Sequence, residues 1–192
     1  MTTPVPPSIS IALAVDPPSF SPGAAVQLSI TAVSHASTPV TIFTWPNVFN
    51  LKLAQRRANF KCVDLETGEP LFLELTKGPK RAGFSCERGS QDDQYYLTLE
   101  PGQPLKISEQ FGLAKRPTEG PRAISPGHRY AFEVRHGEQV DWWREGTREE
   151  VLVPPGQSGQ VEGSEALYEA SSEPLVLNIA GPVVFTVLPP KT

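Results

Sequence analysis

Three Pro-Gly pairs, each directly before a run of alternating apolar and polar residues, constrain the fold of this chain more than any other feature. They lie in SFSPGAAVQLSI, LEPGQPLKI and ISPGHRYAFEV. Proline fixes φ at the second position of a type II turn and glycine accepts the positive φ at the third, so each pair predicts a tight reversal that leads into a strand. The repeated turn predicts an all-β fold, an immunoglobulin-like two-sheet sandwich. The alternative is a closed or partly open β-barrel.

Short strand-like segments recur along the whole chain. No window of 11 residues has the apolar spacing of a helix, and we count nine to eleven strands, with NLKLAQ among them. Two hairpins are predicted: NFKCVDL with PLFLEL across Thr67 and Gly68, and HRYAFEV with VDWWREG across HGEQ. The 192 residues fit a single β-sandwich domain, 1–192, with a long loop at 76–93 and a loop-rich insertion at 154–173.

One part of the sequence resembles a known family. The order LTLEPGQPLKISEQFGL followed by PGHRYAFEV is similar to the immunoglobulin-like accessory or propeptide domains of secreted fungal metalloendopeptidases, where a Pro-Gly strand pair precedes a Tyr-x-Phe-x-Val strand. The chain also resembles stand-alone fungal β-sandwich proteins that have no assigned activity. The resemblance covers Leu97 to Val134 and implies the fold only. The sequence contains no H-E-x-x-H motif, so a protease activity is not implied.

The charge and the terminal segment limit the partners and the compartment. A formal charge of −4 is too small to predict nucleic acid or an anionic membrane as the main partner. No apolar run reaches the roughly 18 residues that cross a bilayer, and MTTPVPPSIS lacks the basic and apolar regions of a signal peptide. We therefore expect a cytoplasmic protein. There, Cys62 and Cys86 are expected to be reduced thiols, whereas an oxidising compartment would allow a disulfide between them.

The sequence does not contain the motifs of metal or catalytic chemistry. His128 and His136 fall on one face of one predicted strand, but eight residues of strand separate them by roughly 26 Å, too far to share one ion. The serines near glycine lack the G-x-S-x-G spacing of a nucleophile elbow. Cys86, beside Arg88 in a glycine-containing loop, is the one thiol worth testing for reactivity. We predict no catalytic residue, no metal and no cofactor.

The double tryptophan in VDWWREG supplies the first candidate binding site. Adjacent residues of a strand point to opposite faces, so Trp142 and Trp143 cannot both face the same side. Trp142 is in phase with apolar Val140, whereas Trp143 is in phase with Asp141 and Glu145. We predict that Trp142 is buried and that Trp143 is an exposed contact for a protein or peptide partner, flanked by solvated carboxylates. The alternative is that the 154–173 segment covers Trp143.

Two further stretches are candidate sites. TIFTWPNVFNL places Trp45 and Phe49 at one end of the sandwich, where they either plug the core or line an apolar groove for a small molecule or a peptide. KGPKRAGFSCERG carries Lys80, Arg81 and Phe84 and is the best loop for an anionic partner, or else a solvated insertion.

Charge is distributed unevenly along the chain. Positions 52–88 hold eight basic and five acidic residues (8 − 5 = +3), and positions 138–173 hold two basic and nine acidic residues (2 − 9 = −7). Such a dipole can steer partners. The function predicted is a non-enzymatic binding or scaffold module. The alternatives are a small-molecule enzyme, such as a cyclase or hydrolase, with its pocket at the Trp45 and Phe49 end, and a protease-regulating domain.

Overall fold

The structure, a computed structural model, describes residues 6–76, 83–120, 122–157, 171 and 173–189. Within these ranges the strands are β1 (Ile9–Asp16), β2 (Ser19–Phe20), β3 (Gln27–Ser34), β4 (Val40–Phe43), β5 (Phe60–Asp64), β6 (Tyr96–Leu99), β7 (Pro104–Gln110), β8 (Arg129–Val134), β9 (Gln139–Val140), β10 (Trp143–Glu145), β11 (Leu175–Ile179) and β12 (Val183–Val187). The α-helices α1 (Leu51–Ala54) and α2 (Arg148–Val151) and the 3₁₀ turns Asp93–Tyr95 and Gly112–Lys115 are each about one turn long. No helix in the described ranges is long and apolar enough to cross a membrane.

The described strands form three sheets. Their orders are β7-β3-β1-β11-β9, β2-β12-β8-β5 and β10-β4-β6. Most neighbours are antiparallel, but β1 pairs with β11 and β2 pairs with β12 in parallel. One sheet curls into a half-barrel, while each of the three orders ends in two edge strands, so these strands do not close a barrel. The predicted all-β, sandwich-like fold is confirmed.

The five-stranded and four-stranded sheets share one hydrophobic core. Alternate residues of β3 and of β8 are buried in it, as the two-residue period of a strand requires. Phe111, which follows β7, lies at the centre with no exposed surface. Its ring makes edge-to-face contacts with Phe20, Phe132 and Phe185 at centroid distances of 6.1, 5.3 and 5.2 Å. This group of rings connects β2, β8 and β12 with the residue that follows β7, although these elements are far apart in the sequence.

The three Pro-Gly turns are formed as predicted. Gly23, Gly102 and Gly127 have φ values of 86°, 65° and 89°, in the region that glycine adopts without a steric penalty. The turns precede β3, β7 and β8. These local reversals therefore set where three of the long strands begin.

The prediction of a strand at NLKLAQ is wrong, because the segment forms helix α1. The Asn50 side chain accepts a hydrogen bond from the backbone N–H of Leu53 at 3.3 Å and caps the helix. Leu51 and Ala54 are the buried residues of the helix, and their spacing of three places both on one helical face. A local cap and one turn of apolar spacing outweigh the alternating pattern here.

The two predicted hairpins differ in outcome. Val63 pairs with Pro70 across the Thr67-Gly68 turn, where Gly68 has a φ of 76°, so the turn of the first hairpin is confirmed with a shorter second arm. The second hairpin is wrong. The chain does turn after β8, but β8 pairs with β5 and β12, while β9 pairs with β11 and β10 pairs with β4. β8 and β9 are successive in the chain but thus belong to different sheets.

The two predicted loop segments contact one another. The Gly156 N–H of the second segment donates to Glu87 Oε1 of the first at 2.5 Å. Directly before the second segment, the Val153 N–H donates to the Cys86 carbonyl and the Val153 carbonyl accepts from the Arg88 N–H, both at 2.9 Å. Residues 83–95 are also held internally by Asp92 and Asp93, whose carboxylates accept from backbone N–H groups at 2.7 and 2.8 Å. Residues 77–82, 158–170 and 172 of these loops lie outside the described residues.

Candidate functional site

Both tryptophans of the pair are buried, so the predicted exposure of Trp143 is wrong. Trp142 is 2% exposed and Trp143 is 4% exposed. They do face opposite sides of the β10-β4-β6 sheet, as alternation requires, but Trp143 is the one that joins the main core. Trp142 instead joins a second group of buried residues, the outer aromatic cluster, made of Phe43, Cys86, Tyr96, Trp142 and Leu152.

The cover over Trp143 comes from the segment that the alternative prediction named. The indole Nε1–H of Trp143 donates to the carbonyl of Glu173 at 2.8 Å, and its backbone N–H donates to the Ser171 hydroxyl at 2.9 Å. Ser171 and Glu173 belong to the predicted 154–173 insertion. Both faces of this sheet are therefore covered. The prediction from the alternation in VDWWREG assumes a strand with one solvent-exposed face, and that assumption wrongly places one indole in solvent.

Phe43 and Trp142 of the outer aromatic cluster line an open cleft of about 680 Å³, the aromatic cleft. The cleft lies beside the end of β4, next to the turn between β8 and β9. It is lined by Phe43, Trp45, Pro46, Asn47, Arg57, Asn59, Gly83, Phe84, Gly137, Glu138, Gln139, Asp141 and Trp142. This volume is within the range of ligand-binding pockets in proteins.

The aromatic side of the cleft is a packed set of rings. Phe43 stacks on Phe84 at a centroid distance of 4.6 Å, and Phe84 meets Trp142 edge to face at 6.1 Å. Trp45 is half-buried and lies 5.2 Å from the Tyr95 ring. These rings therefore support one another within the protein.

The polar side of the cleft carries two carboxylates. Glu138 Oε1 accepts a hydrogen bond from Asn59 Nδ2 at 2.8 Å, and Asp141 Oδ1 accepts one from Gln139 Nε2 at 2.9 Å. Burial raises the pKa of Glu138, the Asn59 hydrogen bond and the charge of Arg135 oppose that rise, and the charge of Asp141 adds to it. A carboxylate in this position gains from any cation that approaches it.

The structure brings three of the predicted site residues together. Trp45, Phe84 and Asp141 line the aromatic cleft. Phe49 is buried in the main core, which fits the interpretation of a plug, and Glu145 lies opposite Val40 on β10, outside the cleft lining. Lys80 and Arg81 lie outside the described residues.

Sequence reasoning missed Asn59, Glu138 and Trp142 as cleft residues. Asn59 directly precedes β5 and Glu138 follows β8, and β5 and β8 are antiparallel partners with Phe60 opposite Val134. The two polar side chains therefore meet because of a strand pairing between distant segments. The HGEQ turn was visible in the sequence, but its partner across the sheet was not.

The two cysteines are thiols that do not form a disulfide with each other. Cys62 is in the main core and Cys86 is in the outer aromatic cluster. Burial raises the pKa of Cys62 to about 12 and also raises the pKa of Cys86, whose sulfur accepts a hydrogen bond from the Tyr96 hydroxyl at 3.3 Å. Both thiols are therefore protonated at neutral pH, which makes Cys86 a poor nucleophile.

The two histidines that flank β8, His128 and His136, lie in different surroundings. His128 Nδ1 lies 2.7 Å from Asp64 Oδ2, whereas His136 lines a different cavity of about 600 Å³ beside β1 and β11. Among the described residues there is no group of three or more His, Cys, Asp or Glu side chains able to hold a metal ion.

Asp64 is expected to make the fold sensitive to acid. Burial opposes its ionisation, but hydrogen bonds from His128 and from the N–H groups of Glu66 and Thr67 lower its pKa. Its stabilising effect is therefore complete above the unfolded pKa of about 3.9 and is lost as the pH falls through the lower folded pKa. We expect Asp64→Ala to reduce the free energy of unfolding at pH 7 by about 1–3 kcal/mol.

Urea unfolding of wild type and Asp64→Ala at pH 7 and at a series of values below pH 4 checks this expectation. The difference between the two proteins should narrow as the pH falls. Glu66→Gln is the control, because Glu66 forms an exposed pair with Arg129 and should change stability by less than about 1 kcal/mol. A difference that stays constant with pH would contradict the assignment.

Sequence comparison with family models and with curated proteins identifies no relative. No protein-family model matches the chain, and a sequence search of curated proteins gives no match. The function is therefore inferred from the geometry of the aromatic cleft.

Proposed function

We propose that this chain is a non-enzymatic binding protein whose aromatic cleft captures a lysine or arginine side chain of a protein or peptide partner. The observation that carries the proposal is the presence of Glu138 and Asp141 in the same cleft as Trp45, Phe84 and Trp142. Aromatic faces attract a cation through the ring quadrupole, and carboxylates beside them add a direct charge interaction.

One aromatic ring that lines the cleft already contacts a cationic side chain of the protein. The guanidinium carbon of Arg144 lies 4.9 Å from the centroid of the Trp142 ring. This contact supports the proposal because it indicates that the outer aromatic cluster suits a cation on its faces. Arg57, which also lines the cleft, is engaged in other contacts.

The charge of the surrounding segment supports a cationic partner as well. Positions 138–157, all of them described, hold five acidic and two basic residues, which favours the approach of positive charge to this segment. Within the cleft, a bound ammonium or guanidinium group would offset the burial that raises the pKa of Glu138. The proposed partner thus satisfies a carboxylate whose environment disfavours its charge.

The three indole N–H signals in a ¹⁵N–¹H NMR spectrum test the proposal. We expect a capped lysine pentapeptide to shift the signals of Trp45 and Trp142, which line the cleft, and to leave that of Trp143, which is hydrogen-bonded to Glu173 in the core. A pentapeptide with glutamate in place of lysine should produce no shift. Equal shifts with a leucine pentapeptide would instead favour the small-molecule alternative, and no shift with lysine or arginine peptides would overturn the proposal.

A pair of matched variants separates the cleft from general surface charge. Glu138→Gln removes one carboxylate inside the cleft, and Glu145→Gln removes one exposed carboxylate outside its lining. We expect Glu138→Gln to weaken lysine-peptide binding by about three- to thirtyfold, the range of a partly desolvated charge interaction. Glu145→Gln should bind within about twofold of wild type. Equal effects of the two variants would contradict a site-specific contact.

We also propose the finer assignments of fold and compartment. Two sheets that share one core, with β1 and β2 each paired in parallel to a late strand, support an immunoglobulin-like sandwich. Two thiols that do not form a disulfide support a reducing, cytoplasmic compartment. Cell fractionation with an antibody to the chain tests the second assignment, and recovery in the culture medium would contradict it.

A further inference from the structure

A third cavity, on a different set of residues from the aromatic cleft, combines an apolar interior with a basic border. This basic pocket has a volume of about 320 Å³, at the lower end of the range for small-ligand sites. Leu73, Leu113 and Phe132 form its apolar interior, and each is at least nine-tenths buried. The charged residues of its lining are all basic: Arg56, Lys115, Arg116 and Arg122.

The walls of the basic pocket are fixed by hydrogen bonds between distant segments. The Gln55 side chain accepts from the N–H of Gly112 at 2.8 Å and donates to the carbonyl of Gln110 at 3.0 Å. On the opposite side, the carbonyl of Arg56 accepts from the N–H of Leu75 at 2.9 Å. The 3₁₀ turn Gly112–Lys115 and the Leu73–Leu75 segment are therefore both attached to the end of α1, and the cavity between them is preformed.

Arg116 is the residue of the pocket whose hydrogen-bond donors suit an anionic ligand. Its Nη1 atom is buried and has no hydrogen-bond partner among the described residues. Burial lowers the pKa of its guanidinium group. A buried N–H group without an acceptor is unfavourable, and a carboxylate is the acceptor that matches a guanidinium best.

The remaining basic residues add positive potential at the border. Arg122 packs over the exposed Phe72 ring, with its guanidinium carbon 5.6 Å from the centroid. Lys115 is exposed. An anion that enters the pocket therefore meets positive charge before it reaches Arg116, which favours its capture over that of a neutral molecule.

We propose that the basic pocket binds a small amphipathic carboxylate, with its apolar tail among Leu73, Leu113 and Phe132 and its carboxylate on Arg116. The tail replaces water in a buried apolar cavity. The carboxylate supplies the acceptor that Arg116 Nη1 lacks among the described residues. The site does not depend on the proposed function, because the two cavities share no lining residue.

Isothermal titration with octanoate tests the proposal, with octanol and octylamine as probes of the tail alone and of the opposite charge. We expect octanoate to bind wild type about tenfold to a hundredfold more tightly than octanol, because a charged hydrogen bond contributes that factor. Octylamine should bind no better than octanol. Equal binding of octanoate and octanol, or no binding of octanoate, would overturn the proposal without any variant being needed.

Two variants that remove one positive charge each locate the carboxylate. Arg116→Gln acts in the pocket, and Lys106→Gln acts at an exposed position of β7 outside its lining. We expect Arg116→Gln to weaken octanoate binding about tenfold or more while octanol binding stays within about twofold, and Lys106→Gln to change neither. Equal weakening by both variants would show that octanoate responds to net charge only and would overturn the assignment to Arg116.

Discussion

Replacement of Trp143 by alanine is expected to destabilise the fold by about 3–5 kcal/mol, the range for removal of a large aromatic side chain from a core. The side chain is buried in the main core and its indole N–H bonds to Glu173. Truncation therefore leaves a cavity and removes the bond that joins β10 to the segment before β11. Such a loss is a large part of the 5–15 kcal/mol by which most domains are stable.

Urea denaturation followed by far-ultraviolet circular dichroism measures this loss. Trp45→Ala is the matched control, because the same side chain is removed from a half-buried position in the aromatic cleft. We expect the control to cost less than half as much as Trp143→Ala. A cost below about 1 kcal/mol for Trp143→Ala would mean that its indole is a surface contact, as the alternation of the sequence first suggested.

Replacement of Phe111 by alanine is the second large effect, also about 3–5 kcal/mol. Phe111 has no exposed surface and meets the rings of Phe20, Phe132 and Phe185, which come from one edge strand and the two middle strands of the four-stranded sheet. Each edge-to-face pair adds to the area that the ring buries. Its removal therefore loosens three strands at once.

Phe111→Leu separates the loss of volume from the loss of ring contacts. Leucine fills much of the cavity but cannot form edge-to-face pairs, so we expect it to cost less than alanine and still more than about 1 kcal/mol. Equilibrium unfolding of both variants in urea gives the comparison. Equal stability of Phe111→Leu and wild type would contradict a specific role for the ring geometry.

Local features of the fold were predictable from the sequence, because local chemistry determines them. The three Pro-Gly turns and the alternation of β1, β3 and β8 depend on the φ preferences and the two-residue period of a few neighbouring residues. The strand predicted at NLKLAQ failed for an equally local reason, since the Asn50 cap starts a helix there.

Partners across sheets were not predictable in the same way. The pattern around Trp142 and Trp143 correctly indicated opposite faces, but it contained no information about what covers each face. The outer aromatic cluster covers one and the segment with Ser171 and Glu173 covers the other. A strand of alternating apolar and polar residues can have both faces covered, and its sequence pattern is then the same as that of a strand with one solvent-exposed face.

The residues of the aromatic cleft were only partly predicted, because the cleft also depends on partners across a sheet. Trp45 stood out at one end of the predicted sandwich, Phe84 in the predicted loop 76–93, and Asp141 beside the double tryptophan. Asn59 and Glu138 entered the site only through the pairing of β5 with β8. That pairing joins residues between 66 (Asp64 and Tyr130) and 74 (Phe60 and Val134) positions apart, and no single-sequence period specifies it.

The parallel pairing of β1 with β11 and of β2 with β12 has a consequence for biosynthesis. β11 lies between β1 and β9 in its sheet, and β12 lies between β2 and β8 in the other. While residues 175–187 are still inside the ribosome, β1 and β8 each lack one neighbour and expose backbone groups able to pair with another chain. We expect the five-stranded and four-stranded sheets to be completed only after these residues have been translated. Their assembly should be slow because many contacts join distant segments. Until then the chain should need protection from aggregation.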